Sequence, residues 1–136
     1  MNTSKKRLAI FLPGLYDGGA ERILLNLAGG IAARGFPVDL VLARAEGPYM
    51  SEIPDSVRVI DLKATRVMMC MPALIHYLRS ERPASMLSAL YANIVAVSAK
   101  RITGFPQRIV LSEHNTLTSV SNGENDLRWK LYPKLA

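Results

Sequence analysis

The chain has 136 residues, enough for one domain with a core of its own, and at 49% hydrophobic and 21% charged it is globular in composition, not disordered. The formal net charge of +6 admits nucleic acid, an anionic membrane surface or a phosphorylated small molecule as partner; the one dense basic run is Lys5-Lys6-Arg7, which makes nucleic acid the least favoured. The single cysteine, Cys70, excludes an intrachain disulfide, fits a reducing compartment, and between Met69 and Met71 reads as a small apolar residue.

The apolar run Leu8–Leu12 stops at Pro13-Gly14 and predicts a buried parallel strand. Leu15-Tyr16-Asp17 lead to the pair Gly18-Gly19, after which the apolar spacing turns helical. A helix is predicted over residues 19–34, with Ala20, Ile23, Leu24, Leu27, Ala28 and Ile31 as its inward stripe and Gly35 as its stop. Residues 38–43 read as a second strand, residues 45–56 as a loop, and residues 57–62 as a third strand. Pro72 opens a second helix that runs to about Glu81, with Met71, Leu74, Ile75 and Leu78 inward and Pro83 ending it. Residues 85–90 form a fourth strand, residues 91–102 a helix closed by Gly104, and residues 108–112 a fifth strand with Ile109-Val110-Leu111 as its buried centre. A polar loop follows over residues 115–125, and Asp126 is placed to cap a last helix through Trp129 and Leu131.

Short apolar strands alternating with helices predict an α/β fold: a five-stranded, Rossmann-like parallel sheet of order 3-2-1-4-5 with helices on both faces, as one domain over residues 1–136. The carboxyl ends of strands one, four and five then meet along one edge. That edge collects residues 13–19, residues 91–93 and Glu113-His114-Asn115.

A glycine-rich turn opening a helix is a natural anion site, because the first helical N–H groups lack internal partners and carry partial positive charge. A plain tight turn is the alternative. The glycines do not form a dinucleotide fingerprint, and no acidic residue closes the second strand, where Ala43-Arg44-Ala45 stands. No Lys-Ser/Thr follows them, so it is not a P-loop either. Glu21, in the first helical turn, is either a favourable charge for the helix dipole or a polar anchor beside a ligand. His114 ends a polar run after the fifth strand, where an imidazole can donate to a sugar hydroxyl or stabilise developing charge; a loop histidine bonded to backbone is the alternative. His76 reads as a surface or boundary residue. No His/Cys cluster or Asp pair has metal-ligand spacing, so no metal is expected. Residues 66–71, Arg-Val-Met-Met-Cys-Met, read as methionine filling a core gap, slightly ahead of a segment that meets lipid. No run is long enough to span a bilayer, and residues 8–12 are too short for a signal-peptide core. A cytoplasmic protein is expected, with contact at the inner face of the membrane left open.

Taken together, these segments resemble the N-terminal domain of a GT-B-fold glycosyltransferase of the family 4 type. The resemblance rests on Gly18-Gly19-Ala20-Glu21-Arg22 after the first strand, on Gly35-Phe36-Pro37-Val38-Asp39-Leu40-Val41-Leu42, on Val57-Arg58-Val59-Ile60-Asp61-Leu62, on the helix end at residues 79–83 and on Glu113-His114-Asn115. It implies an acceptor-holding domain facing a separate donor domain with paired glutamates, which is absent from these residues. It implies that Gly18 and Gly19 approach the diphosphate of a nucleotide-sugar donor. His114 would then contact the transferred sugar in a retaining reaction, while Tyr16, Asp17, Glu21 and Asn115 line the acceptor side. It further implies a glycan or lipid-linked acceptor of the cell envelope, no metal and no cofactor beyond the donor substrate, and no turnover by the chain alone. A non-catalytic module, holding a phosphorylated ligand or a protein partner in the same cleft, is the alternative.

Overall fold

A computed structural model describes residues 6–112. Its elements follow in the order β1 (Leu8–Leu12), α1 (Gly19–Ala33), β2 (Val38–Leu42), β3 (Val57–Asp61), α2 (Met71–Glu81), β4 (Ser85–Ala89), α3 (Ala92–Thr103) and β5 (Arg108–Ser112). Short 3-10 turns at Pro48–Glu52 and Val67–Cys70 precede β3 and α2. The strands are all parallel and pair in the order β3-β2-β1-β4-β5, as the alternation of elements predicts.

Strand alternation divides the core in two. Ala9 and Phe11 of β1, with Val41 and Met86, point to the face covered by α2 and α3. Ile10 and Leu12, with Leu40 and Leu42, point to the face covered by α1. Both faces of the central strands are therefore buried, and β1 and β2 read as near-continuous apolar runs for that reason.

The stripe on α1 differs from expectation. Glu21, Leu24, Leu25 and Ala28 are the buried residues, whereas Ile23 is 58% exposed and Leu27 41%. The cause is the segment after the first 3-10 turn. Tyr49, Met50 and Ile53 pack against the α1 core, and Pro54 sits close to Gly29. This flank draws Leu25 inward and leaves Ile23 and Leu27 on the far side. β5 differs as well: Val110, expected at a buried centre, is 47% exposed, because it alternates with the core-packed Ile109 onto the opposite face and joins neither buried cluster. Cys70 is buried in the core, and burial pushes its thiol up to about 11, as suits an inert apolar residue.

One charge sits inside the sheet. Asp39, in β2, has no exposed surface. Its carboxylate accepts from Arg7 Nη1 at 2.6 Å, from Arg58 Nε and Nη2 at 2.8 and 2.7 Å, and from Tyr77 Oη at 2.7 Å. Arg58 also donates to Glu81 at 2.9 Å. The segment before β1, the strands β2 and β3, and α2 are thus clamped by one buried acid. The bidentate Arg58 fork satisfies a planar carboxylate better than a point charge would.

Candidate functional site

Order reverses between β1 and β4, and the loops leaving the carboxyl ends of the strands part on either side of that point. A cavity of about 640 Å³ opens there. Pro13 and Tyr16 form one wall, and Ala43 and Arg44 follow β2 into the floor. Thr65, Arg66, Met68 and Met69 of the β3–α2 connection form the outer lip, and Tyr91 closes it from the β4–α3 connection.

The first wall is pinned by backbone. Leu15 N–H donates to the Glu46 carbonyl at 2.9 Å, Arg44 N–H to Pro13 at 3.1 Å and Tyr49 N–H to Leu15 at 3.2 Å. Side chains add to this. Tyr16 Oη donates to Glu46 Oε1 at 2.7 Å, and Arg44 Nε lies 3.0 Å from Glu46 Oε2. The bond to Glu46 lifts the Tyr16 phenol above its ordinary value, with burial and the Glu46 charge in support and Arg44 opposed. Tyr16 is held protonated as a donor, with its ring along the cleft wall.

At the start of α1, Gly18 is the extended residue before the helix, and the first helical bond runs from Arg22 N–H to the Gly18 carbonyl at 3.2 Å. The N–H groups of Gly19, Ala20 and Glu21 precede it. The two glycines are not equivalent. The Glu21 carboxylate, buried, folds over Gly18 where a Cβ would be. Among the described residues, an added Cβ at Gly19 meets nothing within 4 Å. An anion reaching Gly18 must displace Glu21; at Gly19 the approach is open. Gly19→Ala is therefore expected to leave stability unchanged or to raise it by up to about 1 kcal/mol, through helix propensity, as read by thermal denaturation. A loss beyond that would mean the glycine is required by the fold itself.

Of the residues singled out from sequence, Tyr16 lines the cavity, while Asp17, Gly18, Gly19 and Glu21 lie beside it at the start of α1 and do not line it. His114 and Asn115 lie outside the described residues, as do the 115–125 loop and the helix after Asp126. β5 ends at Ser112 in register with Ala89, on the same edge, and Asn93 Nδ2 donates to the Ser112 carbonyl at 3.2 Å. Tyr91 joins Tyr16 at the cavity from the edge the sequence pointed to, whereas Arg44, Arg66, Met68 and Met69 enter the site from segments that sequence reasoning had not joined. The two methionines correct the core-filling expectation for residues 66–71: Met68 is 45% and Met69 65% exposed, while Val67, Cys70 and Met71 do the packing. Among the described residues no group of three His, Cys, Asp or Glu side chains could hold a metal, and no helix is long and apolar enough to cross a membrane.

Comparison with known families agrees with this geometry. The sequence model of Glycosyltransferase Family 4 matches residues 17–136. The chain belongs to that family. Among curated proteins none matches the family 4 chain significantly in sequence. In fold it resembles a Phytolacca americana UGT2 structure complexed with UDP-2fluoro-glucose and pterostilbene, with TM-score 0.57 and 17% identity over 96% of this chain and 34% of that one. The apo UGT2 structure from the same plant aligns at TM-score 0.49 and 16% identity, over 88% of this chain and 34% of that one. The family 4 chain thus spans about a third of the length of these proteins. Its sheet order and helix layers are those of a Rossmann-like GT-B glycosyltransferase domain.

Proposed function

We propose that the chain is the N-terminal, acceptor-binding domain of a retaining glycosyltransferase that moves a sugar from a nucleotide-sugar donor to a cell-envelope or lipid-linked glycan acceptor. One observation carries the reading: in a family 4 chain, an open cleft and the front of Gly19 lie together at the edge where the strand order reverses. The cleft takes the acceptor, with Tyr16, its proton committed to Glu46, offering its ring and an accepting oxygen on the wall, and Asp17, Glu21 and Asn115 beside it. Gly19, and Gly18 once Glu21 moves aside, approach the donor diphosphate. His114 contacts the transferred sugar. The UDP-2fluoro-glucose in the Phytolacca americana complex is of that donor class. The donor itself is held by a further domain facing this edge, and no metal takes part. The net charge of +6 suits a cytoplasmic protein working at the inner face of the membrane.

The test is sugar transfer by a protein that carries this chain ahead of a donor-binding domain. His114→Ala is expected to lower kcat by about 100-fold or more, as removal of a group that stabilises transition-state charge does. Gly19→Ala is expected to raise KM for the donor. Equal transfer by parent and His114→Ala would remove the histidine from the mechanism. Transfer by the 136-residue chain alone would overturn the division between two domains.

A further inference from the structure

The cleft's lining has a composition that neither a neutral glycan nor a bare anion explains. Resting on the acceptor-binding reading, we propose that its ligand is an amphiphilic phosphate: a phosphoryl group bound by Arg66, carried on an aliphatic chain that lies on Met68, Met69 and Tyr91.

The charge is the first half of the argument. Among the described residues, two guanidinium groups, Arg44 and Arg66, line the cavity, and no carboxylate does. Glu46, behind the wall, is taken up by Tyr16 and by Arg44 Nε. That leaves the remaining donors of Arg44 at the cleft. Arg66 is exposed; its carbonyl accepts from Met69 N–H at 3.0 Å, and its guanidinium has no hydrogen bond or ion pair among the described residues. A planar guanidinium with its fork free is matched to phosphoryl oxygens.

The lip is the second half. Met68 is 45% exposed, Met69 65% and Tyr91 48%, all at one mouth. The turn that carries the methionines is anchored from beneath: Cys70 is buried, and Val67 and Met71 pack on the same core. Met68 and Met69 are therefore held outward by a packed turn and are not surplus core residues. Large apolar side chains grouped at a cleft mark a binding surface, and unbranched methionine adapts to irregular aliphatic partners. A bare phosphate would leave this lip unused, and a neutral alkyl chain would leave the arginines unused. A ligand with both parts uses all of them.

The test is calorimetric titration of the 136-residue chain with hexyl phosphate, inorganic phosphate and hexyl glucoside. Hexyl phosphate is expected to bind about tenfold more tightly than inorganic phosphate, the worth of about two methylenes removed from water. Arg66→Gln is expected to weaken hexyl phosphate about fivefold to tenfold, as loss of a charge-assisted fork does. The double variant Met68→Ser, Met69→Ser is expected to bring hexyl phosphate down to the affinity of inorganic phosphate and to leave the latter unchanged. All three side chains are exposed, so unaltered melting temperatures certify the folded state of the variants. No binding of hexyl phosphate, equal affinity for it and inorganic phosphate, or equal affinity for hexyl glucoside would each overturn the proposal. Transfer by the complete enzyme to a neutral acceptor would sink this inference and keep the glycosyltransferase reading. Tight hexyl phosphate binding by a protein that transfers no sugar would do the reverse.

Discussion

Asp39→Ala is expected to lower stability by about 3 kcal/mol, read as a reduced denaturant midpoint with an unchanged slope. The side chain is fully enclosed, and both oxygens are saturated by Arg7, Arg58 and Tyr77. Removing it does not simply delete four hydrogen bonds. The Tyr77 hydroxyl, on a residue only 3% exposed, loses its acceptor and has no water to turn to. Arg7 and Arg58 are better placed, being 32% and 43% exposed, and recover hydration. That partial recovery keeps the loss near the lower end for a broken buried pair. Tyr77→Phe removes one bond and leaves the carboxylate three, so its cost is about 1.5 kcal/mol. Equal midpoints for parent and Asp39→Ala would show that the clamp contributes nothing.

The same group sets an acid limit. Burial by itself would raise the Asp39 carboxyl, but the bonds from Arg58 and Tyr77 and the charges of Arg7 and Arg58 outweigh it, and the value is held below the usual one. The unfolded chain therefore takes up this proton at higher pH than the folded one. The stabilisation is complete above about pH 4 and is lost as pH falls through the lower folded value. The stability gap between parent and Asp39→Asn is expected to be widest near neutrality and to shrink as pH falls below the unfolded carboxyl value of about 3.9. A gap that stays constant across that range would mean the negative charge itself does not stabilise the fold.

Asp39 also shows where sequence reasoning stops. Val38-Asp39-Leu40-Val41-Leu42 reads as a strand because four of its five residues are apolar, and it is one. Nothing in that spacing says that the acid stays buried, since its partners come from residues 7, 58 and 77. The strands and their order were legible because period and punctuation are local, and because right-handed crossovers leave few topologies to choose from. The phase of α1 was not. Its apolar arc spans Ala20 to Ile31 and is wider than the sheet can cover, so the neighbour at residues 49–54 decides which part goes inside. Val110 is a similar case: an apolar residue in a short strand is buried only if something lies on both faces. In the candidate site, Tyr16 and the glycines were legible because they sit on one contiguous turn. Tyr91 was legible as well, from the sheet order; Arg44 and Arg66 were not, because only the folded edge brings their loops to that cavity. Met68 and Met69 carried a signal, an apolar run flanked by Arg66, but sequence cannot separate a methionine that packs from one that waits for a ligand.

Gly47→Ala is expected to lower stability by about 2–4 kcal/mol and to weaken hexyl phosphate binding with it, while Gly19→Ala does not destabilise. Gly47 has φ 121 and ψ 163, a region that residues with a Cβ hardly enter. The added carbon would also overlap the carbonyl of Leu15, and it would lie 2.8 Å from the Tyr16 nitrogen. Both obstacles are backbone, so no rotamer change relieves them. Relief requires moving the loop after β1, which is bound to its neighbour through Leu15 N–H to the Glu46 carbonyl and Tyr49 N–H to Leu15. Tyr16 and its bond to Glu46 move with that loop, and the cleft wall moves with Tyr16. Stability and binding should therefore fall together at Gly47, where the glycine serves the scaffold. At Gly19 no described residue stands in front, and only a ligand would miss the space. An unchanged midpoint for Gly47→Ala, with hexyl phosphate bound as in the parent, would show that the two loops are not held against each other as the hydrogen bonds imply.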